Sequence, residues 1–349
     1  MRTTTRPGQP GRGRRAVALA GLLLAGSACA QPADRDAAPA SAATPSPAAG
    51  VTADAGPPPA IPVVVGTDLF VGGAHVPGRW RWVEGRGTHW VGIREDGSWS
   101  WGFDAEPQPM DGGLAQPPAV SPNGRYQASV RTQDGVRTLV GADTDEGGEG
   151  FGGVDLSGVA PDPPPRAVAV TDDGLVVAGG SDGQWLWRPL VDGRVIDLAE
   201  TAPGQVVLGN TGGGLLVNRG APGTTDGTQG EPYLARLAPD GVLTRVADVP
   251  THDVLQATPQ WLAYVPPGTV GGEAWTTAEV RVQHRDGSDA RVLVPPEGWR
   301  FAATGFRWED DDTLLVLLVR ADGDEQALAR CRPDPSGCVV LDLEGRQRP

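Results

Sequence analysis

No lysine occurs anywhere in the 349 residues, so all 29 basic residues are arginine. A chain without lysine has no Schiff-base amine, no P-loop lysine and no lysine general base. Cysteine and histidine are scarce too, at 3 and 4 residues. Cys331 and Cys338 have no further Cys or His close by in sequence, and His75, His89, His252 and His284 fall in no metal-ligand spacing. The apolar stretch at residues 16–25 is about ten residues long, whereas a membrane-spanning helix takes roughly 20. From residue 61 onward no helical apolar period of useful length appears.

In place of these the chain has 51 Gly and 34 Pro, which break the interiors of helices and strands and favour many short elements joined by tight turns. Eleven Trp and repeated Val-Leu runs supply a core to bury. The formal charge is −14. Because Arg2, Arg6, Arg12, Arg14 and Arg15 precede Cys29 and no acid does, the part beyond that point carries about −19. A body so acidic is repelled by phosphate backbones and by anionic lipid surfaces, which argues against a nucleic-acid partner.

The first 30 residues fall into three zones: a cationic one to Arg15, the apolar stretch at 16–25, and the small residues Gly26-Ser27-Ala28-Cys29-Ala30. That order is a secretory signal. Small residues leading to a cysteine resemble the lipobox of bacterial lipoproteins. The resemblance implies that residues 1–29 hold a lipoprotein signal peptide, cut just before Cys29, so that Cys29 becomes the new N-terminus and carries diacylglycerol and acyl chains such as palmitate. Ordinary cleavage after Ala30 and plain secretion is the alternative. Residues 30–60 are rich in Ala, Pro, Ser and Thr, a composition that buries no core and behaves as a disordered tether.

From residue 61 to 345, short apolar runs alternate with Asp-Gly or Asn-Gly pairs, among them Asp96-Gly97, Asn123-Gly124, Asp173-Gly174, Asp240-Gly241 and Asp286-Gly287. Such pairs accept the positive φ angles of hairpin turns. Residues 166–198 read as four strands in a meander, and the same grammar returns about every 45 residues. Four-stranded units at that period are propeller blades. Six are predicted: one in the Trp-rich region 80–101, and others opening near 119, 166, 206, 261 and 304. Residues 61–71 are left as an extra hairpin, with seven blades as the alternative.

Ser121-Pro122-Asn123-Gly124-Arg125-Tyr126 resembles the Ser-Pro-Asp-Gly-Lys/Arg-Tyr turn of TolB-like and WD-repeat-like bacterial propellers, and Thr171-Asp172-Asp173-Gly174 echoes it. The layout of signal, tether and propeller is similar to envelope lipoproteins of high-GC Gram-positive bacteria. The Gly-His and Trp-Asp pairs of true WD repeats are missing. One fold serves many functions, so this resemblance implies an architecture rather than an activity.

Cys331 and Cys338 flank a turn between two apolar strands, which with export predicts a disulfide. Gly179-Gly-Ser181-Asp-Gly183 matches a nucleophile-elbow pattern, but it lies in a hairpin and not at a strand-to-helix turn. Residues 148–153 match G-x-G-x-x-G without a following helix and read as a flexible acidic loop. Asp143, Asp145, Glu146 and Glu149, and the run 309–312, offer oxygen ligands for Ca²⁺ in no recognised loop spacing. Otherwise no cofactor is implied. Trp80/Trp82, Trp99/Trp101 and Trp185/Trp187 alternate at period two, so each pair is expected on one strand face. They serve either as packing between blades or as an aromatic platform for a sugar or peptide.

These readings converge on a monomeric, extracytoplasmic propeller that touches the membrane only through its lipid. Its expected role is a non-catalytic binding or scaffolding module for an envelope protein or glycan. The alternatives are a secreted hydrolase or lyase with acids at the propeller channel, and a structural part of an envelope complex.

Overall fold

The structure is a computed structural model. It describes residues 56–343 apart from 111–112, 115, 145–148, 160–163, 180–182, 190, 220–230, 273–274 and 334–336. Cys29, the export signal and most of the tether therefore lie outside the described residues, as do Asp145, Glu146 and Ser181.

Seven antiparallel sheets follow one another along the chain. Blade 2 comprises Trp80–Arg86, His89–Arg94, Trp99–Phe103 and Glu106–Pro109. Blade 4 comprises Arg166–Thr171, Gly174–Ala178, Gln184–Trp187 and Val195–Asp197, followed by one helical turn, Leu198–Thr201. Blades 3, 5, 6 and 7 repeat this meander, with inner strands ending in Ala119–Val120, Gln205–Thr211, Val254–Ala257 and Trp299–Trp308. The connection between the second and third strands of blade 6 also lends Thr276–Thr277 to the inner edge of blade 7.

The count of six blades is thereby corrected to seven. Val63–Val65, Asp68–Val71 and Ala74–Val76 form a three-stranded sheet in a blade position of its own. An isolated hairpin is marginal in water. This one has both faces covered: Val63 and Phe70 pack with Leu315 and Leu328 of blade 7, and Leu69, Val71 and Val76 with Trp80, Val83 and Trp90 of blade 2. Its neighbours on both sides make it a blade. A second correction concerns residues 148–153. Glu149–Asp155 is the outer strand of blade 3, paired with Val136–Asp143, and Gly153 fits closely there, since a Cβ on it would lie 3.0 Å from the Thr138 methyl.

Turn chemistry recurs as the Asp-Gly pairs predict. Gly97 and Gly287 both sit at φ +84°, and Asp96 and Asp286 each accept bonds from the backbone N–H and hydroxyl of the serine two residues on. The serine hydroxyl first, and its backbone N–H second, hold both carboxyls below their ordinary value.

Inner strands bulge repeatedly. Arg81, Val168 and Leu208 are each an extra residue opposite the second strand of their blade, and in blade 7 residues 302–305 stand opposite Leu317 alone. Such irregularities twist a strand and re-aim its side chains. One is used at once: Gln184 of blade 4 reaches Val207 beside the blade-5 bulge, accepting from its N–H at 2.7 Å and donating to its carbonyl at 2.8 Å.

Buried apolar clusters join blades 3–4, 4–5, 5–6, 6–7, 7–1 and 1–2. The junction of the chain ends, blade 7 with blade 1, has an ionic clasp as well. Arg330 binds Glu309 through two nitrogens at 2.6 and 2.8 Å and donates to the carbonyls of Pro57 and Pro58, while Glu309 accepts from the Ala60 N–H. The last residues assigned to the tether are thus held against blade 7.

Cys331 and Cys338 are cross-strand partners in blade 7 and form the predicted disulfide. Closing so short a loop contributes about 2 kcal/mol in the chain-entropy account. Cys338→Ser should therefore lower stability by that amount in urea unfolding. A loss near zero would mean that the buried Cys331 and its cluster hold this hairpin without the bond.

Candidate functional site at the channel mouth

The inner strands of blades 2, 3, 5, 6 and 7 deliver their C-terminal ends to one end of the central channel, around a cavity of about 110 Å³. Its wall is polar: Glu84 and Arg86, Ser121, Thr211, Thr258, Arg307, and the Asp310–Asp311 pair. Blade 1, with strands of three or four residues, reaches the cavity only through the preceding Ile61.

Three cross-blade devices brace this rim. Asn210 of blade 5 donates to the carbonyls of Val120 in blade 3 and Val170 in blade 4, at 2.7 and 2.8 Å, and accepts from the Val170 N–H at 3.1 Å. Arg307 of blade 7 crosses over blade 1 to the Val83 carbonyl at 2.8 Å and the Glu84 carboxylate at 2.6 Å. Its Nη1 is buried and has no partner among the described residues. The Trp308 indole donates to the Gln256 carbonyl of blade 6 at 3.3 Å. Between blades 5 and 6 the backbones nearly touch, since a Cβ on Gly213 would lie 2.4 Å from the Thr258 oxygen. Only glycine fits there.

The mouth was legible in part. The turn at Ser121-Pro122-Asn123-Gly124 lies on it, with the Ser121 hydroxyl bonded to Asn123 and the Tyr126 N–H. Asn210 and Arg307 carry no motif. Their one signal is a polar residue inside an inner strand where apolar ones are expected.

Of the acids weighed for Ca²⁺, those whose side chains are described are dispersed. Asp143 is held by Arg125 in a forked pair, Glu309 by Arg330, and Asp312 accepts from the Trp261 indole. Only Asp310 and Asp311 of that run reach the mouth. The four histidines stay apart: His75 beside Asp68, His89 against Phe103, His252 on the Pro250 carbonyl and His284 against Trp261. Among the described residues no three His, Cys, Asp or Glu side chains group as metal ligands.

The tryptophans divide by junction. The bulge at Arg81 puts Trp80 and Trp82 on opposite faces of their strand, which corrects the period-two expectation for that pair. Trp80 is fully buried toward blade 1, edge-on to Trp90 at 5.1 Å. Trp187 belongs to the cluster between blades 3 and 4, and Trp185 shares its strand face. Trp82, Trp99 and Trp101 share the blade-2 face that looks toward blade 3.

No protein-family model and no curated protein matches the chain. Solved structures do. An uncharacterised protein of Listeria monocytogenes is 11% identical, with a TM-score of 0.46 over 77% of this chain and 87% of that one. A putative TolB of Agrobacterium tumefaciens is 12% identical, with a TM-score of 0.32 over 77% and 83%. The β-propeller domain of the trilobed protease of Pyrococcus furiosus, described as having an open velcro topology, is 11% identical, with a TM-score of 0.36 over 78% and 100%. TolB-like propellers are thus among the structures this chain is similar to, and at these identities the likeness is one of fold.

Proposed function

We propose that this protein is a lipid-anchored, extracytoplasmic binding module that engages an envelope protein through the rim of its channel mouth. The carrying observation is the braced rim itself. Asn210, Arg307 and Trp308 fix the ends of five inner strands before any partner arrives. A rim already ordered loses little freedom on binding. The cavity at its centre, about 110 Å³, is well below the roughly 300 Å³ at which small-molecule pockets begin. It suits the tip of a partner's side chain seated among hydrogen-bonding groups, with both signs of charge offered around it.

The N-terminal zones support the anchor. A cationic segment, a short apolar stretch and Ala28-Cys29 precede a Pro/Ala tether, and the acidic body has no affinity of its own for an anionic bilayer. Cys29→Ser should move the protein from the membrane fraction to the medium. Retention of this variant at the membrane would remove the lipid from the reading and leave secretion with another contact.

The rim is tested by a photo-crosslinking residue placed at exposed Arg86, with Asp96 on the opposite face as control. Crosslinking in intact cells should give one discrete protein adduct from position 86 and none from 96. Equal adducts from both positions would sink the assignment of the mouth.

A further inference from the structure

Of the seven junctions in the ring, the one between blades 2 and 3 has no cluster of buried apolar side chains among the described residues. Near the channel mouth the two blades do meet, where Gly124 lies against the Arg86 backbone, 2.8 Å from its nitrogen when given a Cβ. Away from the mouth the facing surfaces are unlike each other. Blade 2 presents Trp82, Trp99 and Trp101, all half-buried, beside the buried Val91 and Ile93, with Trp82 edge-on to Trp99 at 5.9 Å. Blade 3 turns Ala128 and Leu139 toward blade 4, so the alternate residues Gln127, Ser129 and Arg131 face blade 2.

Those polar residues are not fully matched. Gln127 is 6% exposed and its Oε1 has no partner among the described residues; the same holds for the buried Nε of Arg131. An orphan acceptor and an orphan donor on a face turned toward three indoles are unusual, because buried polar atoms are nearly always paired.

We infer that the seam between blades 2 and 3 is a carbohydrate-binding site. An indole ring offers a broad apolar face for the C–H face of a pyranose. A sugar hydroxyl both donates and accepts, so an oligosaccharide along this strand carries a donor for Gln127 Oε1 and an acceptor for Arg131 Nε. An apolar peptide side chain would leave both atoms unpaired. The inference is independent of the channel-mouth rim, which takes no part in it.

The test uses the full-length chain in detergent micelles on an array of several hundred pyranose oligosaccharides, neutral and acidic. The best binder is then titrated by tryptophan fluorescence against the parent protein, Gln127→Met and Trp99→Ala. Methionine keeps the length and apolar stem of glutamine but has no carbonyl acceptor. The expected result is binding by the parent, a roughly tenfold loss in Gln127→Met, as for one hydrogen bond, and at least that in Trp99→Ala. The melting temperature of Gln127→Met should be unchanged or raised. Three results would overturn the assignment: no glycan bound above the heat-denatured control, binding unaffected in both variants, or a fall in the melting temperature of Gln127→Met. That last outcome would show the oxygen already satisfied in the free protein.

Discussion

Arg330→Ala should lower the free energy of unfolding by about 3–5 kcal/mol, the usual cost of removing one partner from a buried ion pair. Glu309 shows only 6% of its side chain to solvent and Arg330 only 16%, so the carboxylate left behind is uncompensated. The variant also strips donors from the Pro57 and Pro58 carbonyls. Closure of the ring is what these bonds serve, because no strand of blade 1 hydrogen-bonds into blade 7 among the described residues. Urea unfolding measures the loss, and proteolysis near residues 57–60 should accelerate with it. Arg79, whose pair with Glu95 lies in the open, is the control and should give no measurable change when replaced by alanine. If Arg330→Ala also leaves the midpoint in place, the apolar contacts of Ile61, Val63 and Phe70 with blade 7 close the ring on their own.

Trp80→Ala should cost about 3–5 kcal/mol, as large-to-small changes at fully buried aromatics do. The indole fills the space between blades 1 and 2, donates to the Val76 carbonyl at 3.3 Å, meets Trp90 edge-on and carries the Arg94 guanidinium over its ring at 4.7 Å. Gly92 lies directly against it, where a Cβ would be 3.2 Å from the ring. The effect should be local in character as well as large. Blade 1 has three short strands and depends on its neighbours, so amide exchange across residues 63–76 should quicken more than exchange in blades 4 and 5. Uniform quickening would mean that blade 1 is already part of the global unfolding unit. Trp82→Ala is the matched comparison. Its side chain is half-buried on the face toward blade 3, and the loss of stability should be smaller.

These two positions show how differently the chain's features could be read in advance. The strands between residues 80 and 341, their Asp-Gly turns and the Cys331–Cys338 bond follow from local chemistry: a period of two, a residue that accepts positive φ, and two cysteines a hairpin apart. Each depends on atoms within a few residues of one another. Glu309 and Arg330, by contrast, appear in sequence as one acid in an acidic run and one arginine among 29. Nothing local joins them to Pro57 and Pro58.

The tryptophans make the same distinction within one strand. Alternation placed Trp80 and Trp82 together, and a single extra residue, Arg81, set them on opposite faces. A bulge answers to the curvature an inner strand needs beside the channel, and no residue type announces it.

Blade number belongs with these non-local features. Residues 61–76 are one short hairpin and a third strand, too small to be a blade on their own account. They become the first of seven because blade 7 covers one face and blade 2 the other. A repeating turn-and-strand grammar is enough to specify an all-β ring, since each blade is built from neighbouring residues. How many blades it holds and which junction closes it depend on surfaces brought together from opposite ends of the chain.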